Sequence, residues 1–302
     1  MSKLKKLVFF GNERLATSAT TTAPTLRALI DAGYEIKAVI ASHVDGVSRQ
    51  KRDLEIGLVA HSYRIPVILP GDKIDLAAKL ERHRAEAAVL VAYGKIIPQE
   101  VIDLFPKGII NIHPSLLPKL RGPTPVETAI LDGLSETGVS LMKLTAQMDA
   151  GPVYAQKKIA LSGRETKFEL AEKLNQEGAK LLIECLGAIF DGSFEPAVQD
   201  ESQATYSRLL TKDLGLVDFK QPAELIERQV RAYAGWPKSR ARLHGHEVVI
   251  TKARVAQSTT DGPLVMKCQP GWLEILELLA PSGRRMSGAD FIRGYFKKGL
   301  KG

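Results

Sequence analysis

The sequence is poor in cysteine and has no long hydrophobic run. Its 302 residues include only two cysteines, Cys185 and Cys268, which lie far apart in segments that read as core. This usage predicts two reduced, buried thiols and argues against a disulfide scaffold or a redox pair. No apolar run approaches the length of a membrane span, and the basic start Met1–Lys6 is not followed by an apolar signal segment. We therefore expect a cytoplasmic protein without membrane contact.

Nucleotide and metal motifs are also missing. The first apolar run, KLVFFG, ends at Gly11 without the Gly-x-Gly-x-x-Gly pattern, and no Gly-Lys-Ser/Thr loop occurs in the chain. These absences argue against a dinucleotide dehydrogenase and a P-loop NTPase. Five of the six histidines lack suitably spaced cysteine or carboxylate partners: His43, His61, His83, His244 and His246. We predict no metal site.

Positive charge is concentrated in the last third of the chain. Residues 1–200 hold 25 Lys and Arg against 24 Asp and Glu, a net charge of +1, whereas residues 201–302 hold 17 against 10, a net charge of +7. A basic back region favours a polyanionic partner such as nucleic acid, although basic surfaces also serve solubility alone.

Strand and helix signals alternate along the first 160 residues. The predicted strands are KLVFFG, EIKAVIAS, IPVIL, AAVLVA and GIINIH, with helical spacing between them. Two capping boxes, Thr124–Glu127 and Thr166–Glu169, open further helices. This order is typical of an α/β fold with a doubly wound, mostly parallel sheet.

The composition changes after residue 190. Residues 191–205 are polar and without periodicity, which predicts a linker. Beyond it we predict a helix over 222–233, a hairpin around His244–His246 and several short strands, a pattern typical of a small β-barrel. The predicted domains are therefore 1–190 and 206–302, joined by 191–205.

Two hydrogen-bonding side chains end the strand GIINIH. Asn111 and His113 share one face of that strand, because successive residues point to opposite faces. Ligands of open α/β sheets bind beyond the carboxyl ends of the strands. The Asn111 amide would donate to a developing oxyanion, and the His113 imidazole would stabilise it or carry a proton.

Asp149, in QMDAGPVYAQ, is the candidate third group, which would orient His113 or accept a proton. On these residues alone the alternative is that Asn111 and His113 cap a turn and that Asp149 forms one. No nucleophile lies beside a base, so we expect no covalent intermediate.

These motifs resemble the folate-dependent formyltransferase family. The likeness is most specific in NIHPSLLPKLRGPTPVETAILDG and ETGVSLMKLTAQMDAGPVYAQ, and it extends over nearly all of 1–296. It implies a Rossmann-like catalytic domain, the catalytic set Asn111, His113 and Asp149, and 10-formyltetrahydrofolate as co-substrate. The residues that it implies for folate binding are Ser115, Leu116, Leu117, Pro118, Val91, Ala92 and Tyr93.

The back region refines the resemblance. TYSRLLTKDLGLVDF and LLAPSGRRMSGADFI are similar to the C-terminal, oligonucleotide-binding-type (OB-like) barrel of family members that act on tRNA. The implied reaction is formyl transfer to the free amine of methionine on initiator tRNA. Nothing in the sequence marks an oligomer interface, so we expect a monomer. A formyltransferase acting on a nucleotide-linked amino sugar, a formyl-folate hydrolase and a non-catalytic RNA-binding protein are the alternatives.

Two loops depart from the family. Its first loop often reads Gly-Thr-Pro-x-Phe-Ala, whereas this chain has GNERLATSATTTAP, so no contact is carried over there. The family's long basic loop, which enters the acceptor arm of tRNA, is shorter in this chain. The resemblance implies tRNA contact by the residues that keep it basic: Arg49, Lys51 and Arg52.

Overall fold

The structure, a computed structural model, describes residues 5–41, 54–69 and 73–295. It divides into two compact units. The first contains residues from 1–126, 135–161 and 168–208, and the second contains residues from 127–134, 162–167 and 209–302. No helix among the described residues is long and apolar enough to span a membrane.

The first unit is built on a seven-stranded sheet. Its strands are β1 (Lys6–Gly11), β2 (Glu35–Ile40), β3 (Val67–Ile68), β4 (Ala87–Val91), β5 (Ile109–His113), β6 (Glu136–Lys143) and β7 (Val153–Ala160). The helices in this part of the chain are α1 (Pro24–Asp31), α2 (Glu55–Ser62), α3 (Lys73–Glu81), α4 (Gln99–Ile102), α5 (Pro125–Leu131) and α6 (Lys167–Asp191).

The strand order is β3-β2-β1-β4-β5-β6-β7. Strands β1 to β5 pair in parallel, while β6 and β7 add an antiparallel edge. Every residue of β4 and β5 is buried, which explains their near-continuous apolar sequence: central parallel strands are covered on both faces. The predicted doubly wound, mostly parallel sheet is confirmed.

The two faces of β5 have different neighbours. Helix α6 approaches one face so closely that a Cβ at Gly178 would lie 2.7 Å from Cγ2 of Ile112. Because strand side chains alternate, Asn111 and His113 point to the opposite face. The shared face expected for these two residues is therefore present.

The second unit is a small antiparallel sheet with two helices. Its elements are α7 (Ala223–Ala232), β8 (Ser239–Leu243), β9 (His246–Ala256), β10 (Val265–Lys267), β11 (Trp272–Leu279), β12 (Arg285–Ser287) and α8 (Gly288–Tyr295). The strand order is β10-β11-β9-β8, with β12 also paired to β11. Leu243, Ile275 and Phe291 belong to its buried apolar core. The predicted small β domain after the α/β domain is confirmed.

Local signals explain two features of this unit. The hairpin turn of β8 and β9 consists of His244 and Gly245, both at positive φ (48° and 82°), as a type I′ turn requires. At the start of α8, the Ser287 hydroxyl accepts a hydrogen bond from the Asp290 N–H at 3.0 Å. That cap fixes where the helix begins.

Candidate active site

A cavity of about 810 Å³ lies in the first unit, beyond the carboxyl ends of β1, β4 and β5. Open parallel sheets bind their ligands at this edge. Its lining residues follow or end these strands, or belong to two later loops: Asn12, Arg14, Leu15, Leu90, Ala92 to Ile97, Asn111 to Pro114, Gly122, Pro123, Pro125 and Leu144 to Asp149. The three predicted catalytic residues, Asn111, His113 and Asp149, all line this one cavity.

His113 is held by its ring nitrogens. Nε2 lies 3.0 Å from the Leu120 carbonyl oxygen, which can only accept, so Nε2 carries a hydrogen and donates it. Nδ1 lies 3.6 Å from Oδ1 of Asp149. Both nitrogens thus face acceptors, an arrangement that the imidazolium form satisfies at both positions. The distance at Nδ1 exceeds a direct hydrogen bond, so Nδ1 is the ring atom that a ligand can engage.

The second carboxylate oxygen of Asp149 is held by a backbone N–H group. Its Oδ2 accepts the Gly122 N–H at 2.7 Å. Gly122 has φ 104°, and a Cβ there would lie 2.9 Å from the Ser207 carbonyl oxygen, so only glycine fits this position without a shift. The loop after β5 therefore orients both the imidazole, through Leu120, and the carboxylate, through Gly122.

The Asn111 amide is placed to act on a ligand. The side chain is 5% exposed, lines the cavity, and makes no hydrogen bond to another residue among those that the structure describes. A buried amide ordinarily finds a partner. A carbonyl oxygen entering the cavity would supply that partner.

Some backbone strain lies beside the cavity. Of the ten non-glycine residues with left-handed φ angles among those that the structure describes, four lie in or beside the cavity loops: Glu13 (56°), Ala92 (50°), Leu120 (56°) and Asp149 (50°). Such conformations cost about 1–3 kcal/mol each and persist where surrounding contacts enforce them. At Asp149 the hydrogen bond from the Gly122 N–H is one such contact.

The predicted folate-binding residues fall into two groups. Ala92 and Tyr93 line the cavity, whereas Val91 and the segment 115–118 do not. Ser115 and Leu117 instead hydrogen-bond to β6, where the Ser140 hydroxyl donates to the Ser115 carbonyl at 2.6 Å and accepts from the Leu117 N–H at 3.0 Å.

Sequence reasoning missed Glu13, in the first loop. This carboxylate is fully buried and accepts the N–H groups of Thr25 (2.8 Å) and Leu26 (2.9 Å), at the start of α1. Burial raises the pKa of Glu13 to about 7, against the opposing effect of these hydrogen bonds. No local capping pattern reveals this role, because Glu13 precedes the helix by more than ten residues.

Two further predictions concern the tRNA-contacting cations and metal binding. Arg49, Lys51 and Arg52 lie outside the described residues. Within 5–41, 54–69 and 73–295, no group of three or more His, Cys, Asp or Glu side chains is arranged to hold a metal ion.

Comparisons with known proteins identify the family of this chain. Residues 33–186 match the family model described as formyl transferase, and residues 209–296 match the formyl transferase C-terminal domain. The methionyl-tRNA formyltransferase of Roseiflexus sp. (strain RS-1) is 36% identical over 96% of this chain and 92% of that protein.

Two solved structures share the fold. One is HypX from Aquifex aeolicus in complex with tetrahydrofolic acid (TM-score 0.68, 18% identity, 99% of this chain and 48% of that one). This chain thus spans about half the length of HypX. The other is an N-formyltransferase from Helicobacter canadensis in complex with folinic acid and dTDP-3-aminofucose (TM-score 0.65, 17% identity, 94% and 98%). At these identities the likeness concerns the fold alone.

Proposed function

The chain belongs to the formyl transferase family, and we propose that it transfers the formyl group of 10-formyltetrahydrofolate to the free amine of methionine on initiator tRNA, for translation initiation. The relative that supports this substrate carries the name methionyl-tRNA formyltransferase and aligns along nearly the whole of both chains. The Helicobacter canadensis sugar enzyme shares only the fold, and no observation favours an amino-sugar acceptor.

One observation carries the proposal: Asn111, His113 and Asp149 meet in one cavity at the carboxyl edge of the sheet. The three groups together supply an amide donor, an imidazole with one committed nitrogen, and a carboxylate 3.6 Å from the other nitrogen. Formyl transfer to an amine needs these functions: stabilisation of negative charge on the formyl oxygen and movement of one proton.

The residues would act as follows. The unprotonated amine attacks the formyl carbon, forming the new C–N bond while the bond from that carbon to N10 of the folate breaks. The Asn111 amide and the Nδ1–H of His113 donate to the formyl oxygen as it becomes negative. Asp149 orients the imidazole and helps the proton leave the attacking amine for N10. The net result is one formyl group transferred and one proton exchanged.

The cavity suits a folate co-substrate. Apolar side chains, including Leu15, Leu90 and Ile97, lie beside the backbone of Ala92 and Tyr93 in its lining. A flat ring system needs this combination of apolar cover and backbone hydrogen-bonding groups. We assign Ala92 and Tyr93 to direct contact, and Val91 with residues 115–118 to the supporting wall. No metal takes part in this scheme.

We further propose a division of labour along the chain. Residues 1–190 carry out catalysis, residues 206–302 bind tRNA, and residues 191–205 connect them. The net charge of +7 on residues 201–302 supports contact with a polyanion. Arg49, Lys51 and Arg52 would add contacts to the acceptor arm. We expect a cytoplasmic monomer.

The experiment is direct. Purified protein is incubated with methionyl initiator tRNA and the folate donor, and formyl-methionine on the tRNA is measured by mass spectrometry. A nucleotide-linked amino sugar and water serve as competing acceptors. Formyl-methionine as the main product is expected. Preferential formylation of the sugar, or release of formate without an acceptor, would replace the proposal by the corresponding rival.

A further inference from the structure

A segment that begins in the predicted linker and ends three residues beyond it is hydrogen-bonded to the loops of the candidate site. We call residues 197–208 the strap. Near its start, Ala197 pairs through its backbone with Val153, donating at 2.8 Å and accepting at 2.7 Å. Near its end, the Arg121 N–H donates to the Thr205 carbonyl at 2.9 Å, and the Ser207 N–H donates to the Arg121 carbonyl at 2.7 Å. The strap therefore joins the loop after β5 to the loop before β7.

Gln199 contacts both loops with one side chain. Its Nε2 donates to the carbonyl oxygens of Asp149 (2.8 Å) and Gly151 (2.7 Å). Its Oε1 accepts from Nε (3.1 Å) and a terminal nitrogen (2.8 Å) of Arg121. Carbonyls only accept and a guanidinium only donates, so these partners fix the orientation of the amide. Gln199 is 8% exposed, so it is buried, unlike a residue of a flexible, solvent-exposed linker.

Arg121 stands between the two residues that orient the catalytic groups. Its neighbour Leu120 accepts from His113, and its neighbour Gly122 donates to Asp149. Arg121 is 1% exposed. Its two terminal guanidinium nitrogens also donate to the two carboxylate oxygens of Glu201, at 2.9 and 2.7 Å. Planar, bidentate pairing of this kind holds a guanidinium in one orientation.

We propose that Gln199 is a positioning residue, which sets the separation between the Asp149 carboxylate and His113 by linking the Asp149 backbone to Arg121. Asp149 has a left-handed backbone (φ 50°), a conformation that needs external contacts to persist. Gln199 supplies such a contact at the Asp149 carbonyl, while Gly122 fixes the carboxylate. The inference rests on the proposed function, since it concerns turnover by that site.

The test is a matched pair of isosteric substitutions. Gln199→Glu keeps acceptors for Arg121 but places an oxygen against the carbonyls of Asp149 and Gly151, so the loop must move. Gln203→Glu is the control: Gln203 is an exposed strap residue whose amide contacts Asp200. Displacement of a catalytic group by about 1 Å typically lowers the rate by up to roughly 100-fold. We expect kcat to fall about 10- to 100-fold in Gln199→Glu, with KM for charged tRNA nearly unchanged.

Single-turnover kinetics separate positioning from a structural role. A displaced Asp149 carboxylate should slow the formyl-transfer step itself in folded Gln199→Glu and not in Gln203→Glu. Arg121→Lys, which keeps the charge but loses the paired geometry, should reproduce the loss of kcat and of the single-turnover rate. It provides the test if Gln199→Glu does not fold.

The outcomes are separable. Wild-type protein without formyl-methionine product would reject the proposed function. Active wild-type protein together with a folded Gln199→Glu variant of normal kcat and normal single-turnover rate would reject only the positioning role. An equal loss in Gln203→Glu would reject it as well.

Discussion

The two units bury polar groups differently. Of the sixteen buried polar or charged side chains among the described residues, twelve lie in the first unit and four in the second. Two of those in the first unit, Asn111 and His113, line the cavity, and Gln199 hydrogen-bonds to two of the loops beside it. The four in the second unit are Glu127, Lys167, Ser239 and Glu274. Holding reactive groups in place requires fixed polar partners, whereas an electrostatic docking surface requires only a stable apolar core and an exposed charge.

A buried ion pair joins Lys167 and Glu127 in the described part of the second unit. Nζ of Lys167 lies 3.7 Å from Oε1 of Glu127, and the two side chains are 0% and 1% exposed. Nζ also donates to the Trp236 carbonyl at 2.9 Å. Burial lowers the pKa of Lys167 to about 8, although Glu127 opposes the shift. We interpret this pair as structural.

Lys167→Met should therefore lower the free energy of unfolding by about 3–5 kcal/mol, because it leaves Glu127 buried without its countercharge. Urea unfolding measures the loss. The double substitution Lys167→Met with Glu127→Leu should recover much of it, since apolar side chains of similar volume can replace a buried pair. A double variant no more stable than the single one would contradict this interpretation.

In the first unit, substitution of a buried polar residue of the candidate site should lower turnover rather than stability. His113→Ala, Asn111→Ala and Asp149→Ala should each lower kcat at least 100- to 1000-fold, or about 3–4 kcal/mol, with the fold retained. Steady-state kinetics and circular dichroism check the two parts. Glu100→Ala is the control, because Glu100 belongs to the first unit, is exposed and does not line the cavity. Near-normal turnover in His113→Ala would contradict the proposed mechanism, in which His113 donates to the formyl oxygen.

Glu13 is a buried titratable side chain of the first unit whose contacts, the N–H groups of Thr25 and Leu26, are structural. Its pKa is about 7 in the folded chain against an ordinary 4.5, so the folded state holds more protons between these values. Stability should fall as pH rises from about 4.5 to 7, by up to about 3 kcal/mol, and then level off.

Glu13→Gln should flatten that part of the profile. Urea unfolding between pH 5 and 8 gives the free energy of unfolding of wild type and variant. The difference between the two isolates Glu13, because the other titrating groups contribute equally to both. An identical slope in the variant would show that Glu13 stays ionised throughout.

The smallest expected effects concern the exposed cations of the second unit. Arg242→Ala and Lys252→Ala should each raise KM for charged tRNA and reduce the salt slope of binding by about one, while kcat stays unchanged. Arg285→Ala is the matched control, because Arg285 pairs with Glu277 at 3.0 Å. Equal effects from all three would argue against specific phosphate contacts by Arg242 and Lys252.

Local patterns predicted much of this molecule. Apolar runs located the strands, the two capping boxes at Thr124–Glu127 and Thr166–Glu169 marked the starts of α5 and α6, and His244–His246 marked a hairpin turn. These signals are local because backbone preference and hydrogen bonding act over a few residues. The same alternation along β5 correctly placed Asn111 and His113 on one face.

Long-range contacts were not predictable in the same way. Gln199 is an ordinary polar residue in a stretch without periodicity, and its partners lie 48 to 78 positions away. Glu13 caps a helix from a loop. Nothing near either residue in the sequence marks its role, because that role depends on which backbone groups the fold leaves beside it.

The sequence by itself determined the alternation of strands and helices, the uneven charge and the chemical groups at the end of β5. Only the tertiary structure decided which nitrogen of His113 is held by a carbonyl, how far Asp149 lies from the other, and which strap residue binds both loops. The physical reason is range: side-chain type and periodicity act along the chain, whereas catalytic distances are set by contacts between segments that meet only when the sheet is assembled.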